Sequence, residues 1–389
     1  NLLSHRGPDS NGFYSEAGLF LGHTRLSIQD LSENGSQPMI SNDGRYIIIF
    51  NGEIYNHWEI RKELEDEFKF KSNSDTETVL YAYIKFGEAF LEKLNGIFAL
   101  AIYDKETKEI FLARDHFGVK PFYYYQDNEK FLFSSELKTF ASFDINKSLS
   151  YQGLFNYLTF LWSPGKTTPL EFTWKLLPGH YFKFNISQIS NKIKPQKYYQ
   201  IPFDGNYLNR SEKEIIDALE QKLIKAVDRQ MLSDAPLGFF LSGGLDSSLL
   251  VALARKLYPE KEIHCFTIDT GAHLTEEGFV SDLYYAKKVA EYLKVELHIV
   301  KCELNILEDF DKMIWHLDEP QADSAPLNVL NISKLAREKN IKVLIGGAAG
   351  DDLFSGYRRH LALRYEPFFK IIPSFLSNII RSFVNMTSL

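Results

Sequence analysis

The sequence predicts two domains of different construction: an α+β domain of sheets with helices packed on them, then an α/β domain built on a doubly wound parallel sheet. Three observations predict it. The 389 residues exceed what one ordinary core serves and suit two. Up to about residue 195, short β-rich runs are separated by turn residues, whereas from Ser211 apolar strands alternate with amphipathic helices. Between these textures lies KPQKYYQIPFDGNYLNRS, rich in Pro, Gly, Asn and Tyr, which sets the boundaries at 1–195, a linker at 196–210, and 211–389.

Taken in order, GLFLGHTRLSI and RYIIIFNGEIYN read as strands. FALAIYDKETKEIFLARD and PFYYYQDNEKFLFSSE read as hairpins turning at Asp104 to Lys108 and Gln126 to Lys130. HWEIRKELEDEF reads as a helix, and a second helix includes Thr76 to Leu94. In the second half the strands LGFFL, IHCFTID, VELHIVK and KVLIGG alternate with the helices EKEIIDALEQKLIKAVDRQML, SLLVALARKL, DLYYAKKVAEYL and NVLNISKLAREK. Near-continuous apolar strands joined by helices are what a parallel sheet buried on both faces requires. The late stretch EPFFKIIPSFLSNIIRSFV (366–384) is interrupted by Lys370, Pro373 and Arg381. It reads as an amphipathic helix, because a membrane span needs about 20 apolar residues in a row.

Composition narrows the function classes. Apolar residues at 44% with 24% charged place the chain among soluble globular proteins. A formal net charge of −7 without a long basic run argues against a nucleic-acid partner or an anionic membrane surface. Cys265 and Cys302 both sit in strand-like segments, which argues against a disulfide framework and a zinc site and for a reducing, cytoplasmic compartment. The opening NLLSHRGPDS carries no initiator Met, basic segment or apolar segment, so no targeting signal is expected and the chain reads as a fragment.

The most informative stretch is FFLSGGLDSSLLVALARKL (239–257). A strand running into SGGLDSS and then a helix presents backbone N–H groups and a positive helix end at a strand's carboxyl edge, where anions bind. It is not a Walker loop, since GxxxxGK[ST] and its Lys are absent. Asp246 suits a Mg²⁺-neutralised polyphosphate, and the serine hydroxyls suit phosphate oxygens. Read alone, the segment also fits a plain Gly-rich turn capped by Asp or Ser.

SGGLDSS after an apolar strand resembles the pyrophosphate loop of the ATP pyrophosphatase fold. Upstream, HRGPDS (5–10), RLSI (25–28), FNGEIYN (50–56), SDTE (74–77), RDHFGVKPFYY (114–124), SSELK (134–138) and LPGHY (177–181) occur in the order seen in the glutamine-hydrolysing asparagine synthetase family. Downstream, GDDLFSGY (350–357) resembles that family's second acidic loop, so the resemblance spans essentially the whole chain. It implies an N-terminal αββα sandwich of the N-terminal nucleophile type, a glutamine amidotransferase domain in which a cysteine at chain position one attacks the glutamine amide. The sequence begins downstream of that position, and Cys265 and Cys302 fall in the other domain, so the chain as given is expected not to hydrolyse glutamine.

For glutamine, the resemblance implies a site of Arg25, Leu26, Ser27, Ile28, Asn51, Gly52, Glu53 and Asp75. Arg25 would grip the substrate carboxylate and Asp75 its ammonium, Asn51 and Gly52 would form an oxyanion hole, and Glu53 would line the pocket. Each has a plainer reading: Arg25 as a surface cation, Asp75 as a helix N-cap, and Asn51-Gly52 as a type I′ turn. For ATP, it implies Phe240, Leu241, Ser242, Gly243, Gly244, Asp246, Ser247, Ser248, Ile268, Gly346 and Gly347, with Mg²⁺ shared by Asp246 and Asp351. Phe240 and Ile268 fit an ordinary buried strand equally well. The implied chemistry is adenylation of an acceptor carboxylate by ATP, followed by attack of ammonia.

One departure stands out. Asparagine synthetases typically read SGEGADE where this chain reads GGAAGDD (346–352), so Gly346 replaces a Ser and Ala348 replaces a Glu. GDDLFSGYRRH instead resembles the branch found with surface-polysaccharide genes, which points to an acceptor other than aspartate, such as a sugar carboxylate. Glu319, Asp323 and Tyr357 are candidates to replace the lost proton site. Rival readings are a pyrophosphatase-fold ligase or thiolase without glutamine, against which RLSI, FNGE and SDTE argue, and a non-enzymatic binding protein. The oligomeric state stays open, with a homodimer among the options.

Overall fold

The computed structural model describes residues 2–189, 193–202, 209–269, 282–301, 306–322, 325–363 and 365, leaving aside the side chains at 306–308, 358, 359 and 362. The expected helix at 366–384 lies outside the described residues, as do Cys302 and Asp323.

The first domain is a stack of antiparallel sheets. Its strands are β1 (Ser10–Glu16), β2 (Leu19–Arg25), β3 (Met39–Ile40), β4 (Tyr46–Ile54), β5 (Gly96–Asp104), β6 (Glu109–Arg114), β7 (Tyr123–Gln126), β8 (Phe131–Ser134), β9 (Thr173–Lys175), β10 (His180–Asn185) and β11 (Gln196–Lys197). They form a β1-β2 hairpin, a sheet ordered β11-β10-β6-β5-β4-β3, and a sheet ordered β8-β7-β9. Helices α1 (His57–Lys62), α2 (Asp75–Phe86), α3 (Phe90–Lys93) and α4 (Tyr151–Phe160) complete it. Strand alternation sorts the layers. Ile48, Phe50, Phe98, Leu100 and Ile102 pack with Ile60, Val79 and Phe90 of the helices. Ile47, Ala99, Ala101 and Tyr103 face the other way, onto Leu21, Phe122 and Tyr124 of the second layer. The far side of β7 (Tyr123, Tyr125) is covered by Leu137 and Phe140 of a 3-10 segment, Leu137–Ser142. Helices, sheet, sheet and helical cover follow one another, which is the αββα order.

Two expectations need correction. The helix through Leu94 is broken, because Gly87 takes φ +56 and ends α2; α3 restarts at Phe90, and Leu94 is extended. α1 stops at Lys62, where the run Glu63, Glu65, Asp66 and Glu67 would place negative charge at the negative end of the dipole. Helix α4 escaped the sequence reading because its large residues Tyr151, Phe155 and Leu158 are exposed and leave no core-facing stripe.

The second domain alternates as expected: α5 (Glu212–Gln230), β12 (Leu237–Phe240), α6 (Leu245–Leu257), β13 (His264–Asp269), α7 (Asp282–Leu293), β14 (Glu296–Lys301), α8 (Ile306–Leu317), α9 (Ala325–Glu338), β15 (Val343–Ile345), α10 (Gly350–Phe354) and α11 (Arg358–Leu363). A full capping box, Ser211 with Glu214, starts α5. The sheet runs β14-β13-β12-β15, every pair parallel. One face buries Val227, Val251 and Ala286 of α5, α6 and α7; the other packs Phe266 under Ile332 and Ala336 of α9. The sheet is therefore doubly wound, and strand order reverses between β12 and β15, where a crevice opens beyond the carboxyl ends. No helix among the described residues is long and apolar enough to cross a membrane.

The domains meet through polar contacts. The carbonyl of Ile28 accepts from the N–H groups of Asp234 at 3.0 Å and Ala235 at 3.2 Å. The Asp318 carboxylate accepts from the N–H of Lys138 at 2.9 Å and from that of Leu137. Lys175 pairs with Glu319 at 3.0 Å and Arg229 with Glu59 at 2.7 Å.

Candidate active site

Two sites emerge, one per domain. In the first, β2 delivers Arg25 at its end, β4 delivers Asn51, Gly52 and Glu53, and the first turn of α2 delivers Asp75, all onto a cavity of about 360 Å³. Leu26 and Ile28 also line it, whereas Ser27 does not, and its backbone N–H donates to Asp9 at 2.8 Å. His5, Arg6, Lys120 and, from the second domain, His316 are among the other residues of the wall.

Asn51-Gly52 is no hairpin turn, since both residues lie inside β4 opposite Ala99 and Phe98. Phe50 N–H donates to Gln37 Oε1 at 2.6 Å and Ile54 N–H to Asp75 Oδ2 at 2.8 Å, so even-numbered donors here point away from β5. By the two-residue period, the Gly52 N–H lies on that same edge, beyond the end of β3. A Cβ on Gly52 would meet the Ile97 carbonyl at 2.3 Å, so the strand pairing itself requires glycine.

Ser74, not Asp75, caps α2 by accepting from Thr76 N–H, leaving the Asp75 carboxylate for the cavity wall. Burial raises the Asp75 carboxyl to about 6, against hydrogen bonds from Ile54 and Thr76 that lower it. Burial also pushes Glu53 well above the carboxylate range, helped by the charge of Asp75. Two carboxyls thus face one cavity, both held above their ordinary range, first by burial and, for Glu53, also by the charge of its neighbour.

Arg25 is buried rather than a surface cation, with its guanidinium donating to the Ser32 carbonyl at 2.8 Å and to that of Asp30. The fork therefore braces the 29–32 loop while facing the cavity. His23, two residues earlier on the same face of β2, is a further wall residue that sequence reasoning missed. Its Nε2 contacts the Phe50 carbonyl at 3.2 Å, its Nδ1 has no partner among the described residues, and burial lowers its pKa to about 4. The period-two spacing from Arg25 was the available signal.

The second site occupies the crevice between β12 and β15. Gly243 has φ +86, and a Cβ there would meet Ala286 N at 2.5 Å and Asp282 O at 2.7 Å. Only glycine fits where the loop presses on α7. Leu241 is fully buried, and Phe240 and Ile268 pack on the α9-facing cluster. Gly244 precedes α6 without a side-chain cap, so the first N–H groups of this 13-residue helix stay open. Ser242 Oγ lies 3.0 Å from Ser247 Oγ and accepts from Gly244 N–H, and buried Ser248 Oγ has no partner among the described residues. Asp246 makes no hydrogen bond or ion pair among the described residues. Its carboxylate lies against the β15 loop, where a Cβ on Gly350 would fall 2.0 Å from Oδ2 and one on Gly347 would fall 3.0 Å from Asp246 Cβ. Asp351 follows at once, with Oδ1 against Gly356, and Gly346 directly follows β15 beside Phe240. A carboxylate with no partner among the described residues, next in the chain to Ser247 and Ser248, offers the oxygen donors that Mg²⁺ takes.

With that geometry in hand, the sequence relationships are decisive. Residues 1–199 match the glutamine amidotransferase domain family and 218–387 the asparagine synthase family. The chain is 34% identical over 382 residues to asparagine synthetase (glutamine-hydrolysing) 1 of Bacillus subtilis, covering 97% of this chain and 58% of that protein. It is 34% identical over 397 residues to putative asparagine synthetase (glutamine-hydrolysing) 2 of Methanocaldococcus jannaschii, covering 96% of this chain and 74% of that protein. The chain belongs to the asparagine synthetase family. Among solved structures, glutamine phosphoribosylpyrophosphate amidotransferase from B. subtilis matches with a TM-score of 0.34 and 14% identity, over 75% of this chain and 56% of that one.

Within this asparagine synthetase family member, Ala348 sits in the loop between β15 and α10, followed by Ala349 at φ +69. Of the candidate replacements for the lost carboxylate, Glu319 is held by Lys175 at the domain boundary, and burial raises its pKa. Tyr357 stands 40% exposed near His360.

Proposed function

We propose that the protein is an ATP-dependent, glutamine-dependent amidotransferase: glutamine yields ammonia in the first domain, and the second activates an acceptor carboxylate that the ammonia amidates. The observation that carries the glutamine half is the convergence of Arg25, Asn51, Gly52, Glu53 and Asp75 on one cavity. The Asp75 carboxylate suits the substrate ammonium, the Arg25 fork its carboxylate, and the Asn51 amide with the Gly52 N–H the oxygen of the tetrahedral intermediate. The attacking thiol belongs, by resemblance, to a cysteine at chain position one. Cys265 does not serve, since it is buried in the other domain and burial pushes its thiol up to about 12.

In the second domain the open N–H groups of α6, with Ser242, Ser247 and Ser248, suit the phosphates of ATP. Asp246 and Asp351 would hold Mg²⁺, which when bound neutralises phosphate charge. The acceptor carboxylate attacks the α-phosphate, releasing pyrophosphate, and ammonia then displaces AMP to leave the amide. The crevice at the strand-order reversal supports this placement. The low cysteine count supports a cytoplasmic setting.

Ala348 favours an acceptor other than aspartate, because a methyl group neither pairs with an α-ammonium nor moves a proton, and such proton transfer is worth about 10²–10⁴-fold. The test is to incubate the full-length protein with ATP, Mg²⁺, labelled ammonia and a panel of amino-acid and sugar carboxylates, identifying the amide by mass. Amidation of a sugar acid with AMP release is expected. Efficient asparagine formation would return the acceptor to aspartate, and no AMP with any acceptor would remove the ligase reading.

A further inference from the structure

At the opposite edge of the same sheet lies a cluster that neither reaction uses. β13 and β14 are parallel, with His264 directly opposite Glu296 and Phe266 opposite His298. Alternation puts His264, Glu296 and His298 on one face. His264 Nδ1 lies 3.2 Å from His298 Nε2 and 3.1 Å from Glu296 Oε2, and His298 Nε2 lies 3.5 Å from Glu296 Oε1. These separations decide what the trio can do. A tetrahedral ion with nitrogen and oxygen ligands at about 2.0–2.2 Å has ligand-to-ligand edges of about 3.4 Å. The two nitrogens are spaced as two corners of such a shell, and the Glu296 carboxylate, with Oε2 toward His264 and Oε1 toward His298, offers either oxygen as the third, leaving the fourth corner open.

We propose that His264, Glu296 and His298 form a binding site for a borderline divalent transition-metal ion of the zinc class. Two imidazoles with one carboxylate select such an ion over Mg²⁺ or Ca²⁺, which take all-oxygen shells. The sequence argued against a zinc site from its cysteines, but this ligand set contains none and forms only when the two strands pair.

The surroundings fit the role. His298 has a side chain only 8% exposed and stacks on buried Phe266 at 4.7 Å, which fixes its ring. Glu262 Oε1 stands 4.0 Å from the other nitrogen of His264, on the side where a metal-bound imidazole takes an outer carboxylate partner. Glu296 is half-exposed, which leaves an entry path. Ile268, on the same strand as His264, stands about 13 Å away at 3.3 Å per residue, too far for the ion to touch ATP. The ion acts as a clamp between β13 and β14.

The test is titration of the metal-stripped full chain with Co²⁺, read by its visible absorption, and with Zn²⁺ by calorimetry and thermal melting, with Mg·ATP present throughout to occupy the other site. The proposal expects an intense tetrahedral Co²⁺ spectrum at one ion per chain, a rise in melting temperature with Zn²⁺, and at least a tenfold weaker Kd in His264→Ala and in His298→Ala. Should the alanine variants fail to fold, His264→Asn and His298→Gln, which keep a hydrogen-bonding side chain across the strands, carry the same expectation. Absence of the tetrahedral spectrum, or Co²⁺ and Zn²⁺ affinity that survives both histidine substitutions, would overturn it.

Discussion

The charge on Asp75 is where residue-level physics meets the proposed glutamine site. Burial raises this carboxyl to about 6, so it is ionised above that pH and neutral below it. Pairing with a substrate ammonium needs the ionised form, so glutamine affinity should fall as pH drops through about 6, and calorimetry across pH 5 to 8 would show it. Asp75→Asn should bind weakly at every pH and flatten the profile; a wild-type profile without that drop would remove Asp75 from the ammonium position. Stability runs the other way. The native state holds protons that the unfolded chain has released, so folding loses stability as pH rises from the ordinary carboxylate range through about 6. Asp75→Asn, which can still accept from Ile54 N–H, should therefore lose that part of the pH dependence of melting. Arg25→Lys keeps the charge but loses the planar fork that braces the Asp30 and Ser32 carbonyls, so it should weaken glutamine binding by tenfold or more. Arg25, Asn51, Gly52 and Asp75 were legible as residue types in a motif order. Their plainer readings were settled only by burial, strand position and the cap at Ser74. His23 carried only its two-residue spacing from Arg25 as a signal, because nothing in one sequence marks a histidine as buried with a nitrogen that has no partner among the described residues.

Glycine geometry sets the predictions for whole elements. Gly243→Ala places a methyl group against backbone atoms of α7 at a φ of +86, so it should destabilise the fold by about 2 kcal/mol or more, measured by denaturant unfolding. Gly350→Ala differs because its clash is with the free end of the Asp246 side chain. That carboxylate can swing aside, so stability should change by less than about 0.5 kcal/mol while Mg·ATP affinity drops at least tenfold. Asp246→Asn should match that loss by removing the charge. Unchanged Mg·ATP affinity in both variants would leave Asp246 without a metal role. The hairpins at Asp104–Lys108 and Gln126–Lys130 and the β/α alternation were readable from local patterns, because short-range turn chemistry and apolar periodicity create them. The break at Gly87 was not. A glycine inside an amphipathic run ends a helix or passes unnoticed according to the packing around it.

At the scale of the whole molecule, the interface between domains turns on Asp318. Its carboxylate receives two backbone N–H groups from the 3-10 segment of the first domain and stands 3.4 Å from Lys138. Asp318→Ala leaves those donors unpaired, at a cost of about 1–3 kcal/mol. Calorimetry should then resolve two melting transitions where the parent shows closer coupling, and a single unchanged transition would show that the domains are held elsewhere. By itself the sequence determined the two-domain α/β character, the alternations that build it and the family to which its motifs point, because these depend on residues close together in the chain. Only the tertiary structure decided what depends on residues far apart. The β15 loop had to meet SGGLDSS before Gly350 could rest on Asp246, and α2 had to pack beside β4 before Asp75 could face Asn51 and Gly52. Likewise, β13 had to pair with β14 in one register before two histidines and a glutamate, 34 residues apart at their ends, came within 3.5 Å of one another. Motifs record which side chains are available; strand register and domain docking fix their separations, and those separations set what the side chains can bind.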